Sequence, residues 1–108
     1  MSEMEAKKLI HQAGIQTFPR PDGIPKNFKV KLSDKPGGMK YVHPQDEGTY
    51  IRIMPGKAHS QNPCQQKPYV NQRIHGKSLD KHGNIVSNKS KEAHIPLEEF
   101  VYREMGKN

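Results

Sequence analysis

Two stretches of the chain alternate between apolar and polar residues in the manner of strands. Residues 49–54 read TYIRIM and residues 69–75 read YVNQRIH. In an extended chain successive side chains point to opposite faces. Ile51 and Ile53 then share one face, and Arg52 lies between Tyr50 and Met54 on the other. In the second stretch Val70 and Ile74 fall together, opposite Tyr69, Asn71, Arg73 and His75. The pattern predicts Ile51, Ile53, Val70 and Ile74 in a core, with Arg52, Tyr69, Arg73 and His75 on the reverse face. Such a face is either a basic, aromatic binding surface or the ordinary solvated side of an antiparallel sheet.

The same reading extends along the chain. Ser2, followed by Glu3 and Glu5, is an N-cap with acids in the first turn, and Gly14 is a stop, so a helix is expected over 3–13. Residues 17–25 hold three prolines and Gly23, which marks a linker or a strapped-down loop. Residues 27–33 alternate, with Phe28, Val30 and Leu32 opposite Lys29 and Lys31. A turn at 35–38, a short strand at 39–43 and a turn at 45–48 lead into 49–54. Pro55 and Gly56 close that strand, and 57–68 is a polar loop of a length expected either to serve a function or to stay mobile. After residue 75, Gly76 is expected to break or bulge the strand, with 77–80 continuing it. Residues 81–84 carry hairpin-turn chemistry before a return strand at Ile85 and Val86. At the tail a short helix and a strand over 99–102 compete.

These elements make an α+β chain: an N-terminal helix followed by a twisted, mainly antiparallel β-sheet of four to five strands. The helix and its proline-rich linker occupy 1–26, and the sheet-based part occupies 27–108. With 108 residues, 31% of them hydrophobic, and nine each of glycine and proline, the core is expected to be thin. No apolar run approaches the roughly 18–20 residues of a membrane span, and no membrane association is expected. Cys64 is the only cysteine, which excludes an internal disulfide and a cysteine-based zinc site. A monomer is expected.

Charge sharpens the picture. The net charge is +7, and residues 51–97 concentrate it with eight basic and two acidic side chains. That is the footprint of a polyanion-binding surface, for a nucleic acid or an acidic protein. The six histidines include no i,i+2 or i,i+4 pair, and residues 51–91 contain one acid, Asp80. A catalytic metal centre has too few ligands there, so no metal and no cofactor are expected. Metal-independent RNA cleavage needs less: histidines to move protons and cations to stabilise the phosphorane. The candidates are His75 and His94 for acid/base work, with His43 in reserve, and Arg52 and Arg73 on the phosphate. Lys29, Lys31, Lys40, Lys57, His59, Tyr69 and Lys77 are candidates for substrate binding. Tyr69 would stack a base or pack with its hydroxyl at the rim. His94 would otherwise anchor the C-terminal segment to the sheet.

The order GGMKYVHP, GTYIRIMPGK, PYVNQRIHGKSLDKHGNIV and EAHIPLEEF, over residues 36–102, resembles the C-terminal toxin modules of bacterial polymorphic and contact-dependent toxin systems. Within that class it is similar to the ribonuclease group shared by barnase, EndoU, colicin tRNases and RelE-like toxins. The resemblance implies a metal-independent endoribonuclease acting on RNA, tRNA among the possible substrates. It also implies an acidic immunity protein as partner. The place of action would be the bacterial cytoplasm, including that of a target cell into which the toxin is delivered. Two other functions fit the residues: a nucleic-acid-binding module without catalysis, and a basic protein-interaction domain for an acidic partner.

Overall fold

The computed structural model describes residues 2–33 and 37–102. Helix α1 runs Glu3–Gln12, and Ser2 caps it by accepting the Glu5 N–H on its Oγ at 3.2 Å. Gly14, at φ 83°, ends it with its N–H on the His11 carbonyl. Of the helix only Ile10 is buried, so propensity and capping form it and one apolar anchor docks it. Polar clasps add to that anchor. Lys7 Nζ donates to the Phe18 carbonyl at 2.7 Å, and Arg20 pairs with Glu3 while lying 4.8 Å from the Tyr41 ring centroid.

Among the described residues seven strands follow: β1 Lys29–Leu32, β2 Met39–His43, β3 Asp46–Met54, β4 Tyr69–Ile74, β5 Lys77–Leu79, β6 Ile85–Val86 and β7 Ile95–Pro96. All pairings are antiparallel, and β1 to β6 form a meander in chain order. β3 covers one edge of β4, while β5 and β7 share the other. The fold is therefore α+β, with a mainly antiparallel sheet of more strands than the four to five expected. The surplus has two sources. β7 is a two-residue strand too short to show a period, and the stretch after residue 74 turns back as β5 instead of continuing β4. His75 (φ 51°) and Gly76 (φ 81°) occupy a tight β4–β5 turn with both φ positive, the geometry of a type I′ hairpin. Histidine enters the left-handed region more readily than most residues, and glycine enters it freely.

The remaining segments follow the expectations closely. Asp80 caps the β5–β6 turn, its carboxylate accepting the His82 and Asn84 N–H groups. The β2–β3 turn is tighter than 45–48, because β3 already starts at Asp46. Of the competing tail forms, the strand over 99–102 is absent: β7 at Ile95–Pro96 is followed by a 3-10 turn at Leu97–Glu99, and residues 100–102 carry no element. The turn expected at 35–38 falls partly on residues 34–36, outside the described residues, as does 103–108 of the tail.

The core lies on one face of the sheet. Met39, Tyr41, Ile51, Ile53 and Val70 pack beneath Ile10, Phe18, Ile24 and Phe28. Helix and linker are thus the lid of the core. Ile51, Ile53 and Val70 are buried as the alternation requires, whereas Ile74, beside the hairpin turn, is only half-buried. The opposite face is not simply solvated. Tyr50, Met54, Tyr69, Asn71 and Ser78 are buried on it. The segment before β7 lies over part of this face: Asn71 Nδ2 donates to the Ala93 carbonyl, and the His94 ring stands 5.2 Å from that of Tyr69.

Candidate functional site

Strand register places the cations. Lys31, Lys40, Arg52 and Asn71 stand side by side across β1 to β4, and the next row on that face runs Lys29, Val42, Tyr50, Arg73 and Ser78. Tyr50 is the centre of the cluster. Lys40 Nζ lies 5.1 Å from its ring centroid, and the guanidinium carbons of Arg52 and Arg73 lie at 5.8 and 5.7 Å. Each such contact is worth about 0.5–1 kcal/mol, which offsets part of the repulsion among three like charges. Among the described residues, neither Arg52 nor Arg73 has a carboxylate partner.

Asn71 holds the two guanidinium groups. Its Oδ1 accepts from Arg73 Nε at 2.9 Å and from Arg52 Nη2 at 3.5 Å, while its Nδ2 donates to Ser78 Oγ and to the Ala93 carbonyl. With all its hydrogen-bonding capacity spent, the buried amide is rigid. Arg52 Nε, by contrast, is buried with no hydrogen-bond partner among the described residues. A charged donor left in that state costs free energy.

His75 sits at the end of the sheet rather than on its basic face, because the turn takes it off the strand's alternation. Its Nδ1 lies 2.6 Å from Asp46 Oδ2, and its backbone N–H donates to Thr49 Oγ1. Thr49 Oγ1 donates in turn to Asp46 Oδ2 at 2.6 Å, and the Gly48 N–H donates to Asp46 Oδ1. The Thr49 hydroxyl and the Gly48 N–H, followed by His75, hold the Asp46 carboxyl below the usual range, with burial opposing them. A carboxylate on Nδ1 fixes the ring and leaves Nε2 facing outward. The side chain is 65% exposed. His75 follows the last residue of β4, two positions beyond Arg73.

The other candidates separate into groups. His94 is engaged at both ring nitrogens: Nδ1 meets the Ser90 carbonyl at 2.8 Å and Nε2 the Gln65 side-chain amide at 3.0 Å. The carbonyl can only accept, so Nδ1 carries the proton and Nε2 accepts from Gln65. That is the geometry of an anchor. His43 lies against Phe28, the ring centroids 5.3 Å apart, and its Nδ1 accepts the Gln45 N–H. Lys29 and Lys31 are exposed on the sheet's edge strand, and Lys77 pairs with Ile74 on the helix side of the sheet.

Lys57, His59 and Tyr69 meet at a surface pocket of about 660 Å³, which Met54, Ser60 and Gln65 also line. Tyr69 is 4% exposed, which removes it as an open stacking platform. The 57–68 loop builds this pocket from its own polar residues around a short 3-10 turn, Pro63–Gln65. Gln65 Oε1 accepts from Ser60 and Asn62 side chains, and the Lys57 N–H donates to the Gln65 carbonyl. Gly56, at φ 80°, lets the loop close: a Cβ there would sit 2.4 Å from the Lys67 carbonyl carbon.

Sequence reasoning missed Asp46, Tyr50, Asn71 and Gln65 as parts of the site. The spacing of Asp46 and Gly48 carried a weak signal, since Asp often bonds the backbone two residues on. Among the described residues, no three His, Cys, Asp or Glu side chains are grouped to hold a metal ion, and no helix is long and apolar enough to cross a membrane. No protein-family model matches the chain, and no curated protein matches it.

Proposed function

We propose that the chain is a metal-independent endoribonuclease of the toxin kind, binding an RNA strand along the cationic face and cleaving it at the adjacent end of the sheet. The observation that carries this reading is the cluster of Lys40, Arg52 and Arg73 around Tyr50, its two arginines having no carboxylate partner among the described residues. Those cations bind the phosphate and stabilise the charge that builds on it during attack. His75, oriented by Asp46, takes the proton from the ribose 2′-OH through Nε2. The 2′ oxygen bonds to phosphorus, the bond to the 5′ oxygen breaks, and a 2′,3′-cyclic phosphate and a 5′-hydroxyl result. The departing oxygen takes up a proton from water, since His94 lies beside Tyr69 at the far end of β4 from His75 and its Nε2 accepts from Gln65. An acidic immunity protein would complement the same cations.

The occupied nitrogens of His94 favour a second reading, an RNA-binding module without cleavage. Incubating the purified protein with total RNA in EDTA decides between them. Cleavage that disappears in His75→Ala supports the ribonuclease. Retardation of intact RNA supports the binding module, and neither result leaves a protein-binding role for the basic face.

A further inference from the structure

We propose that the pocket between the 57–68 loop and the end of β3 is a nucleobase subsite, which seats one unstacked base while its phosphate lies on the Arg52 row. The inference rests on the reading of the basic face as an RNA surface. Its first support is position. Met54 and Tyr69 are register partners, and on the same face the preceding pair is Arg52 and Asn71. The pocket is therefore about 6.6 Å along the strands from the cations. A ligand with an anionic end and a flat apolar body one step away would satisfy both.

The second support is chemistry. Pro55 and Ala58 give the pocket apolar surface above a floor formed by the nearly buried Met54 and Tyr69, while Lys57, His59 and Ser60 set polar groups around it. Sequence-selective RNA recognition works on splayed bases in this way, with an apolar contact for the ring and hydrogen bonds for its edge. The volume of about 660 Å³ is that of a small-ligand site. The third support is order. Both polar ends of the Gln65 side chain are engaged, to Ser60 and Asn62 on one side and His94 on the other. His94 thereby has a role without proton transfer: it fixes the loop that forms the pocket. A preformed pocket lowers the entropic cost of binding.

Because Gln65 is committed internally, discrimination among bases falls to His59 and Lys57, both exposed on the loop. The test titrates ¹⁵N-labelled protein with the four nucleoside 3′-monophosphates, with inorganic phosphate and with a short poly-glutamate peptide. The expected result is that the best nucleotide binds about tenfold tighter than phosphate. Nucleotides should shift the amides of residues 56–60 and 65, whereas phosphate should shift mainly the Arg52 row. His59→Ala and Lys57→Ala should reduce the nucleotide advantage severalfold and leave phosphate binding intact. Nucleotides binding no tighter than phosphate would overturn the subsite, as would poly-glutamate shifting the pocket amides equally. RNA cleavage without nucleotide shifts in the pocket removes the subsite and keeps the ribonuclease. Pocket shifts without RNA cleavage keep the subsite and remove the ribonuclease.

Discussion

Asp46 and His75 belong to different hairpins, yet the carboxylate Oδ2 lies 2.6 Å from the imidazole Nδ1. Thr49 joins them, donating its hydroxyl to Asp46 and accepting the His75 N–H. The β2–β3 turn and the β4–β5 turn are thus tied at one end of the sheet. A histidine at positive φ is kept there by its partners on both sides.

This tie gives the protein an acid-sensitive end. The folded Asp46 carboxyl titrates below its unfolded value of about 3.9. Its contribution to stability is therefore full above about pH 4 and is lost as pH falls through the folded pKa. Asp46→Asn should lower the unfolding midpoint near pH 5, and the gap to wild type should narrow toward pH 3. Urea melts at several pH values measure it. A gap that stays constant into the acid range would show that Asp46 does not titrate as described.

Asn71 should matter more than its size suggests. Asn71→Ala leaves Ser78 Oγ and the Ala93 carbonyl without a buried partner, at a cost of about 2–3 kcal/mol. Asn71→Asp places a carboxylate between Arg52 and Arg73, so it should also weaken RNA binding beyond any loss of fold. Chemical denaturation and filter binding separate the two effects. Equal RNA affinity in a folded Asn71→Asp protein would argue against the cluster as a phosphate site.

The alternation that revealed Ile51, Ile53 and Val70 works because a half-buried strand must sort its side chains by face. It also placed Arg52 and Arg73 together. It failed at His75, where local backbone geometry ends the alternation, and His-Gly is a weaker hairpin signal than Asn-Gly. Nor could it show that Tyr69 and Asn71 are covered, since the covering segment arrives from residues 91–94, far along the chain. The Asp46–His75 contact is of the same kind: each residue looks like turn filler until the sheet brings the two turns together. Lys29, Lys31 and Lys40 were legible as cations, but only the register showed which stands beside Arg52.

If Lys40, Arg52 and Arg73 each meet a phosphate, RNA affinity should fall with salt at a logarithmic slope of about −2, from roughly −0.7 per contact on single strands. Arg52→Ala should flatten the slope by about 0.7 and weaken binding similarly for different sequences. Fluorescence anisotropy at several salt concentrations reads both numbers. A salt-independent affinity would dispose of the phosphate reading of this face.

The histidines are expected to divide by role. His75 points Nε2 outward and is fixed by a carboxylate, so His75→Ala should keep the fold and lose about 10²–10⁴ in cleavage rate, the usual range for a proton-transfer group. His94 spends both nitrogens inside the protein, so His94→Ala should leave the Gln65 amide and the Ser90 carbonyl unpartnered and destabilise by about 1–3 kcal/mol. His94→Gln can restore part of that bonding without a titratable ring. If His94→Gln folds and cleaves RNA near the wild-type rate, His94 is an anchor and the leaving-group proton comes from elsewhere. If it folds and loses activity as His75→Ala does, His94 does more than anchor the loop, and a reaction site confined to the His75 end of the sheet is wrong. Circular dichroism establishes the fold of each variant, and cleavage of a labelled RNA in EDTA reads the rate. A His75→Ala protein that folds and cleaves normally would end the case for this sheet end as the reaction site.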